Sequence, residues 1–153
     1  MMIQRIQSLY LLAVAALMLT AALTPLAYFV GGVDEYLLYA FALKGGGIEH
    51  STIYMGIVVA LAAALPLVTI FLYKNRMLQI RLCAVELVLL VGSAVFMAIY
   101  YYLSNRLFSQ FEFHTQGFRI AIVFPVVGII LDYFAIRAIF KDEMLVKSLD
   151  RIR

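Results

Sequence analysis

"FLYKNRMLQIRL", residues 71–82, decides how this chain is threaded. It carries Lys74, Arg76 and Arg81 with no acid among them, and long apolar runs lie on both sides. Short cytoplasmic loops between membrane spans hold an excess of Lys and Arg. The three cations therefore read as the residues that set topology, with contact to anionic lipid headgroups as a secondary role.

The flanking runs belong to a set of four. Apolar residues make up 65% of the 153-residue chain and charged residues 14%, against about a half and a quarter in soluble domains. Residues 9–30, 52–73, 78–103 and 118–140 are each long and apolar enough for the roughly 20 residues of helix that cross a bilayer. Backbone in lipid must satisfy its own polar groups, which predicts helices. The expected fold is all-α: one domain over residues 1–153, a four-helix transmembrane bundle with a tail at 141–153.

With residues 74–81 inside, both termini fall in the cytoplasm. Arg5 precedes the first span, and Arg137, Lys141, Lys147, Arg151 and Arg153 close the last, so nine of the twelve Lys and Arg residues lie inside. Tyr28, Tyr54 and Tyr100 to Tyr102 fall near the outer boundary, where interfacial aromatics gather. The first span resembles a signal peptide in having Arg5 before an apolar stretch. That stretch is longer than the ~7–15 residues of a signal core, which favours a retained helix. The expected location is the inner membrane, multi-pass.

Several function classes lack their signatures. Nucleic-acid binding needs a basic face, and the basic residues here flank membrane spans. The single cysteine, Cys83, excludes an intrachain disulfide and sits in an apolar run as a small hydrophobe. No nucleophile–base pair, phosphate loop or strong metal motif appears, so neither an enzyme nor a cofactor is expected.

Three stretches carry a family likeness: "MIQRIQSLYLL" from Met2, "YKNRMLQIRL" from Tyr73 and the tail "RAIFKDEMLVKSLDRIR". They resemble a family of small four-span membrane proteins of Bacteroidota, catalogued as domain of unknown function 4293. The likeness spans the whole chain. It implies four helices, an inner-membrane location and no established activity, and it brings no site residues with it.

The outer loops are less regular. "VDEYLLYAFALKGGGIEH" is apolar and aromatic, then breaks at Gly45 to Gly47. A short strand that turns at the glycines and lies over the helix ends is expected, with an irregular interfacial loop as the alternative. His50 and His114, with Glu49 and Glu112 nearby, could supply mixed nitrogen and oxygen ligands for zinc. Their spacing matches no metal motif, and loop histidines are ordinarily solvated.

Two acids interrupt the spans. Glu86 follows Arg81 by about 7–8 Å of helix and is expected to lean back towards Arg81 or Arg137. Asp132 precedes Lys141 by roughly 13 Å and points deeper. A charge near mid-membrane costs some 2.5–3.5 kcal/mol, so Asp132 should be protonated, paired or facing a wet interior. Glu86, Asp132 and Arg137 form either a structural polar clasp or a proton or ion relay.

Small residues recur at Gly56, Ala60 and Ala64, and at Ala13, Ala16 and Thr20, where helices approach closely. Pro25, Pro66 and Pro125 all fall inside the expected spans and should bend them. In the tail, Leu145, Leu149 and Ile152 share one face of an amphipathic helix, which could lie on the inner leaflet or dock on a partner, with a solvated continuation of the fourth span as the alternative. Two function classes follow. One is a non-catalytic accessory or scaffold subunit of a membrane complex; the other is a small oligomeric transporter or channel using Asp132 and Glu86. The expected partners are membrane lipids and a membrane protein or second copy.

Overall fold

In the computed structural model, which describes residues 2–110 and 114–152, every long apolar run is helical. The helices are α1 (Met2–Leu23), α2 (Ile53–Phe71), α3 (Arg76–Phe108) and α4 (Phe124–Ile152), with a 3-10 turn at Ile120–Val123 before α4. All four are long and apolar enough to cross a membrane. They alternate in direction and close a ring: α1 lies between α2 and α4, and α3 lies between the same two neighbours on the far side.

Heptad spacing explains the bundle. Gln79, Cys83, Glu86, Leu90, Ser93 and Met97 are the buried stripe of α3, at alternating steps of four and three. Pro125, Gly128, Asp132, Ala135 and Ile139 do the same on α4, and Gln7, Leu11, Val14, Met18 and Ala21 on α1. This repeat keeps one seam facing the neighbours in a left-handed bundle.

The prolines act differently from the expected bends. Pro25 lies outside α1, which ends at Leu23. The residue before a proline is pushed out of the helical region, so Thr24 closes the helix. Pro125 is in the first turn of α4, where its missing N–H costs nothing. Only Pro66 is interior to a helix, in α2.

The outer loops build more sheet than expected. Five antiparallel strands run in the order β4-β3-β2-β1-β5: β1 (Ala27–Gly31), β2 (Asp34–Leu38), β3 (Ala42–Gly45), β4 (Ile48–Ser51) and β5 (His114–Phe118). β1 occupies the end of the run read as the first span. A two-residue loop, Gly32 and Val33, joins β1 to β2, and Gly46 and Gly47 join β3 to β4. Both glycines of the second loop have positive φ, 54° and 77°, the mirror-image turn that suits strand twist. β5 comes from the loop between α3 and α4 and pairs with β1, so one sheet ties both loops together over the helix ends.

Alternation sets its faces. Ala27, Phe29, Tyr36 and Leu38 are buried against the bundle. The Phe29 ring lies 5.3 Å from that of Tyr101 on α3. Thr52, just before α2, fastens the sheet to the bundle. Its hydroxyl lies within hydrogen-bond distance of the Tyr39 and Ala40 carbonyls (3.1 and 3.0 Å), and its N–H donates to the Phe41 carbonyl. One turn on, the Phe41 ring rests where a Cβ on Gly56 would sit.

The tail is not a separate helix. α4 continues to Ile152 without a break, and Gly128 is its last glycine or proline. Leu145, Leu149 and Ile152 are exposed along this extension.

Candidate functional site

An ion pair fixes how α3 and α4 are aligned. Arg76 Nη2 lies 3.4 Å from Asp142 Oδ2, joining the first residue of α3 to the late turns of α4. Stepping equally up both antiparallel helices from that pair brings Glu86 level with Asp132, about 15 Å away at 1.5 Å per residue. One turn further, Leu90 is level with Gly128, where an added Cβ would stand 3.1 Å from Leu90 Cδ2. The three rungs agree, so the two acids occupy one level of the bundle, rather than the different depths expected from sequence.

Both acids are enclosed. Glu86 is 1% exposed and Asp132 is 0% exposed. The Cys83 thiol, one turn before Glu86 and fully buried, faces Asp132. None of the four carboxyl oxygens reaches a hydrogen-bond partner of regular geometry. Each such group costs about 1–3 kcal/mol relative to a satisfied one. These acids are therefore held at a cost by the packing around them.

Arg137 is not brought to this site. It is exposed, and the expected pairing with Glu86 is not made. The reason is angular. Five residues separate Asp132 from Arg137 and also Arg81 from Glu86, and at about 100° per residue each cation sits some 140° round its helix from its acid. With the acids inside, Arg81 and Arg137 must face out.

A further polar member went unread in the sequence. Gln7 on α1 is 5% exposed and its Nε2 has no partner. The signal was its place one turn before Leu11 on the same stripe. Tyr10 on α1 lies near Phe134 on α4, with ring centroids 6.1 Å apart, which puts Gln7 about a turn nearer the termini than Asp132. Gln79 Nε2 donates to the Thr69 carbonyl at 3.0 Å, closing the α2–α3 seam at this end.

Polarity is thus divided along the bundle. Gln7, Thr69, Gln79, Glu86 and Asp132 are buried in the half nearer the termini. The half nearer the sheet is filled mainly by Val14, Met18, Met55, Val59, Leu90 and Met97, with Thr52, Ser93 and Ser104 as its buried polar residues. Ser93 there is satisfied by the Leu89 carbonyl at 2.8 Å. This apolar layer separates the acids from the sheet end.

The remaining candidates are spread out. Lys74 is exposed at the α2–α3 turn and Arg81 is exposed in the second turn of α3, while Arg76 is engaged with Asp142. His50 lies on β4 and His114 on β5, the two opposite edges of the sheet. Four strand spacings of about 4.8 Å, roughly 19 Å, separate those edges, so the two histidines cannot share one zinc ion. Glu49 instead pairs with Lys44 across β3 and β4 at 3.6 Å, and Glu112 lies outside the described residues. Among the described residues, no three of His, Cys, Asp and Glu converge as a metal-ligand set, the Cys83–Glu86–Asp132 group included.

A family model matches residues 3–152, which takes in all four helices, the sheet and both acids. The chain belongs to the DUF4293 family, a domain of unknown function. The likeness in the two termini and the α2–α3 turn thus reflects membership along the whole chain. No curated protein matches it.

Proposed function

We propose that this DUF4293 protein is an integral inner-membrane protein with both termini in the cytoplasm, acting as a non-catalytic accessory or scaffold subunit of a membrane complex. The observation that carries this reading is the unbroken α4. Its last turns pass Asp142, the level at which α3 begins, and leave Leu145, Leu149 and Ile152 exposed. A projecting apolar stripe suits a partner helix at the membrane surface. The apolar layer above the acids also argues against a path through a single bundle. Orientation follows from the excess of Lys and Arg at the end that carries the termini.

Two measurements test the proposal. Reporter fusions after Arg153 and at Gly46 should give cytoplasmic and periplasmic signals respectively; the reverse pattern ends the topology. Extraction in mild detergent should bring down a stoichiometric partner, which Leu145→Glu with Leu149→Glu releases without unfolding the bundle. Recovery of the chain alone, unaffected by those changes, defeats the scaffold reading.

The buried Glu86 and Asp132 favour a second reading, a small oligomeric transporter or channel. Intramembrane acids are functional sites by default. Proton flux into vesicles that is lost in Asp132→Asn, with the protein still folded, would establish it over the first.

A further inference from the structure

A groove follows the outer side of the seam between α1 and α2. Ala15, Ala16, Ala60, Ala63 and Ala64 form its floor, and Leu19 and Leu67 stand on its walls. This part encloses about 490 Å³ and is almost entirely apolar. At Leu12 it meets a second hollow of about 690 Å³ that opens at the termini end beside Arg5 and Tyr73. Arg5 is exposed and makes no ion pair among the described residues.

The two ends of the groove differ. The open end is cationic and amphipathic. The far end is stopped by Phe41, whose ring stands over Gly56 one turn above Ala60. A helix crossing the whole bilayer along this seam would have to displace that ring. A single chain entering from the Arg5 end would not. From Arg5 to Ala16 is about 16 Å of helix, close to the ~15 Å hydrocarbon depth of one leaflet.

We propose that the α1–α2 groove is a binding site for an anionic phospholipid, with one acyl chain on the alanine floor and the phosphate at Arg5. The small side chains leave the width of a hydrocarbon chain, and the apolar walls offer no hydrogen bond that would select a polar ligand. Arg5 selects the headgroup's charge. The inference rests on the bilayer insertion proposed above, and is independent of the scaffold role.

The full-length protein, extracted in mild detergent, is offered equal phosphatidylglycerol and phosphatidylcholine, and native mass spectrometry reads the lipid retained. One phosphatidylglycerol should be held in preference to phosphatidylcholine. Arg5→Gln should reduce that preference about fivefold, the share of one cation near an anionic headgroup. Ala64→Phe, which fills the groove, should remove retained lipid of both kinds; Ala60→Leu serves if that variant does not fold. Lys44→Gln at the sheet end should change nothing. Equal retention in all variants overturns the site, as does an equal loss in Lys44→Gln. Full competition by soluble glycerol phosphate would reduce it to an ion site and overturn the acyl-chain assignment. A lipid-free dimer dissolved by Ala64→Phe would make the groove an interface between copies instead. Release of the chain from membranes by alkaline carbonate, before any detergent is added, would refute bilayer insertion itself, a separate failure.

Discussion

Glu86 and Asp132 stand level with each other on the facing interior stripes of α3 and α4, and neither meets a cation. Such an arrangement is poor as a fastening. Replacing buried polar or ionic groups by apolar ones of similar volume is often neutral or stabilising, by about 1–4 kcal/mol. Glu86→Leu with Asp132→Leu is therefore expected to raise the unfolding temperature in detergent, whereas Glu86→Gln and Asp132→Asn should change stability by about 1 kcal/mol or less. A clasp predicts the opposite sign for the leucine pair. A rise in stability together with loss of an in vivo phenotype would mark the acids as kept for function at the expense of stability.

Arg76 and Asp142 set the alignment that brings those acids level. The pair is partly shielded, with side chains 25% and 15% exposed. Its coupling should lie between that of a surface pair and a buried one, at about 1 kcal/mol. A double-mutant cycle on Arg76→Gln and Asp142→Asn measures it. A coupling of zero would mean that the core stripes alone hold α3 and α4 in register.

Thr52 joins the sheet to α2 through one side chain. Thr52→Val keeps the shape and removes the hydroxyl near the Tyr39 and Ala40 carbonyls. Thr52 is 3% exposed, so those carbonyls lose a buried donor, at a cost of about 1–3 kcal/mol. Thr52→Ser should recover most of it. Protease digestion within residues 27–51 should accelerate in Thr52→Val before the helices melt, and equal rates in both variants would contradict this role.

Much of the bundle was legible because long apolar helices announce themselves by local composition. The buried stripe of α3 from Gln79 to Met97 was not legible, because apolar residues such as Val85, Val88 and Val91 surround it and the stripe itself holds Gln79, Glu86 and Ser93. Nor does sequence say which rung of α4 each of its residues meets. Arg137 illustrates the point. Its distance along the helix suggested a partner for Glu86, while its angle of about 140° from Asp132 forbade it. The sheet was partly hidden because β1, "AYFVG", continues the apolar run of α1, and only Pro25 marks the change. β5 pairs with β1 from a distant loop, and such long-range pairing leaves no local trace. Gln7 was overlooked because one polar residue near a terminus reads as solvated until the stripe through Leu11 and Val14 is followed back to it.

The contact between Gly56 and Phe41 gives the last prediction. Sequence spacing linked Gly56 with Ala60 and Ala64 as one small-residue ridge, yet the structure divides that ridge. Ala60 and Ala64 face the open groove, while Gly56 is buried under the Phe41 ring. Gly56→Ala should therefore cost stability despite the better helix propensity of alanine, because its methyl would overlap that ring. Overpacking of this kind costs about 1–3 kcal/mol, against a propensity gain of about 1. Phe41→Ala alone removes a ring that is partly exposed and should cost less than a core truncation. Combining the two should relieve the overlap, so the double variant is more stable than the sum of the single losses predicts. Thermal unfolding of the three variants supplies the cycle. Strict additivity would show that the ring does not bear on Gly56, and the groove would then be open at both ends.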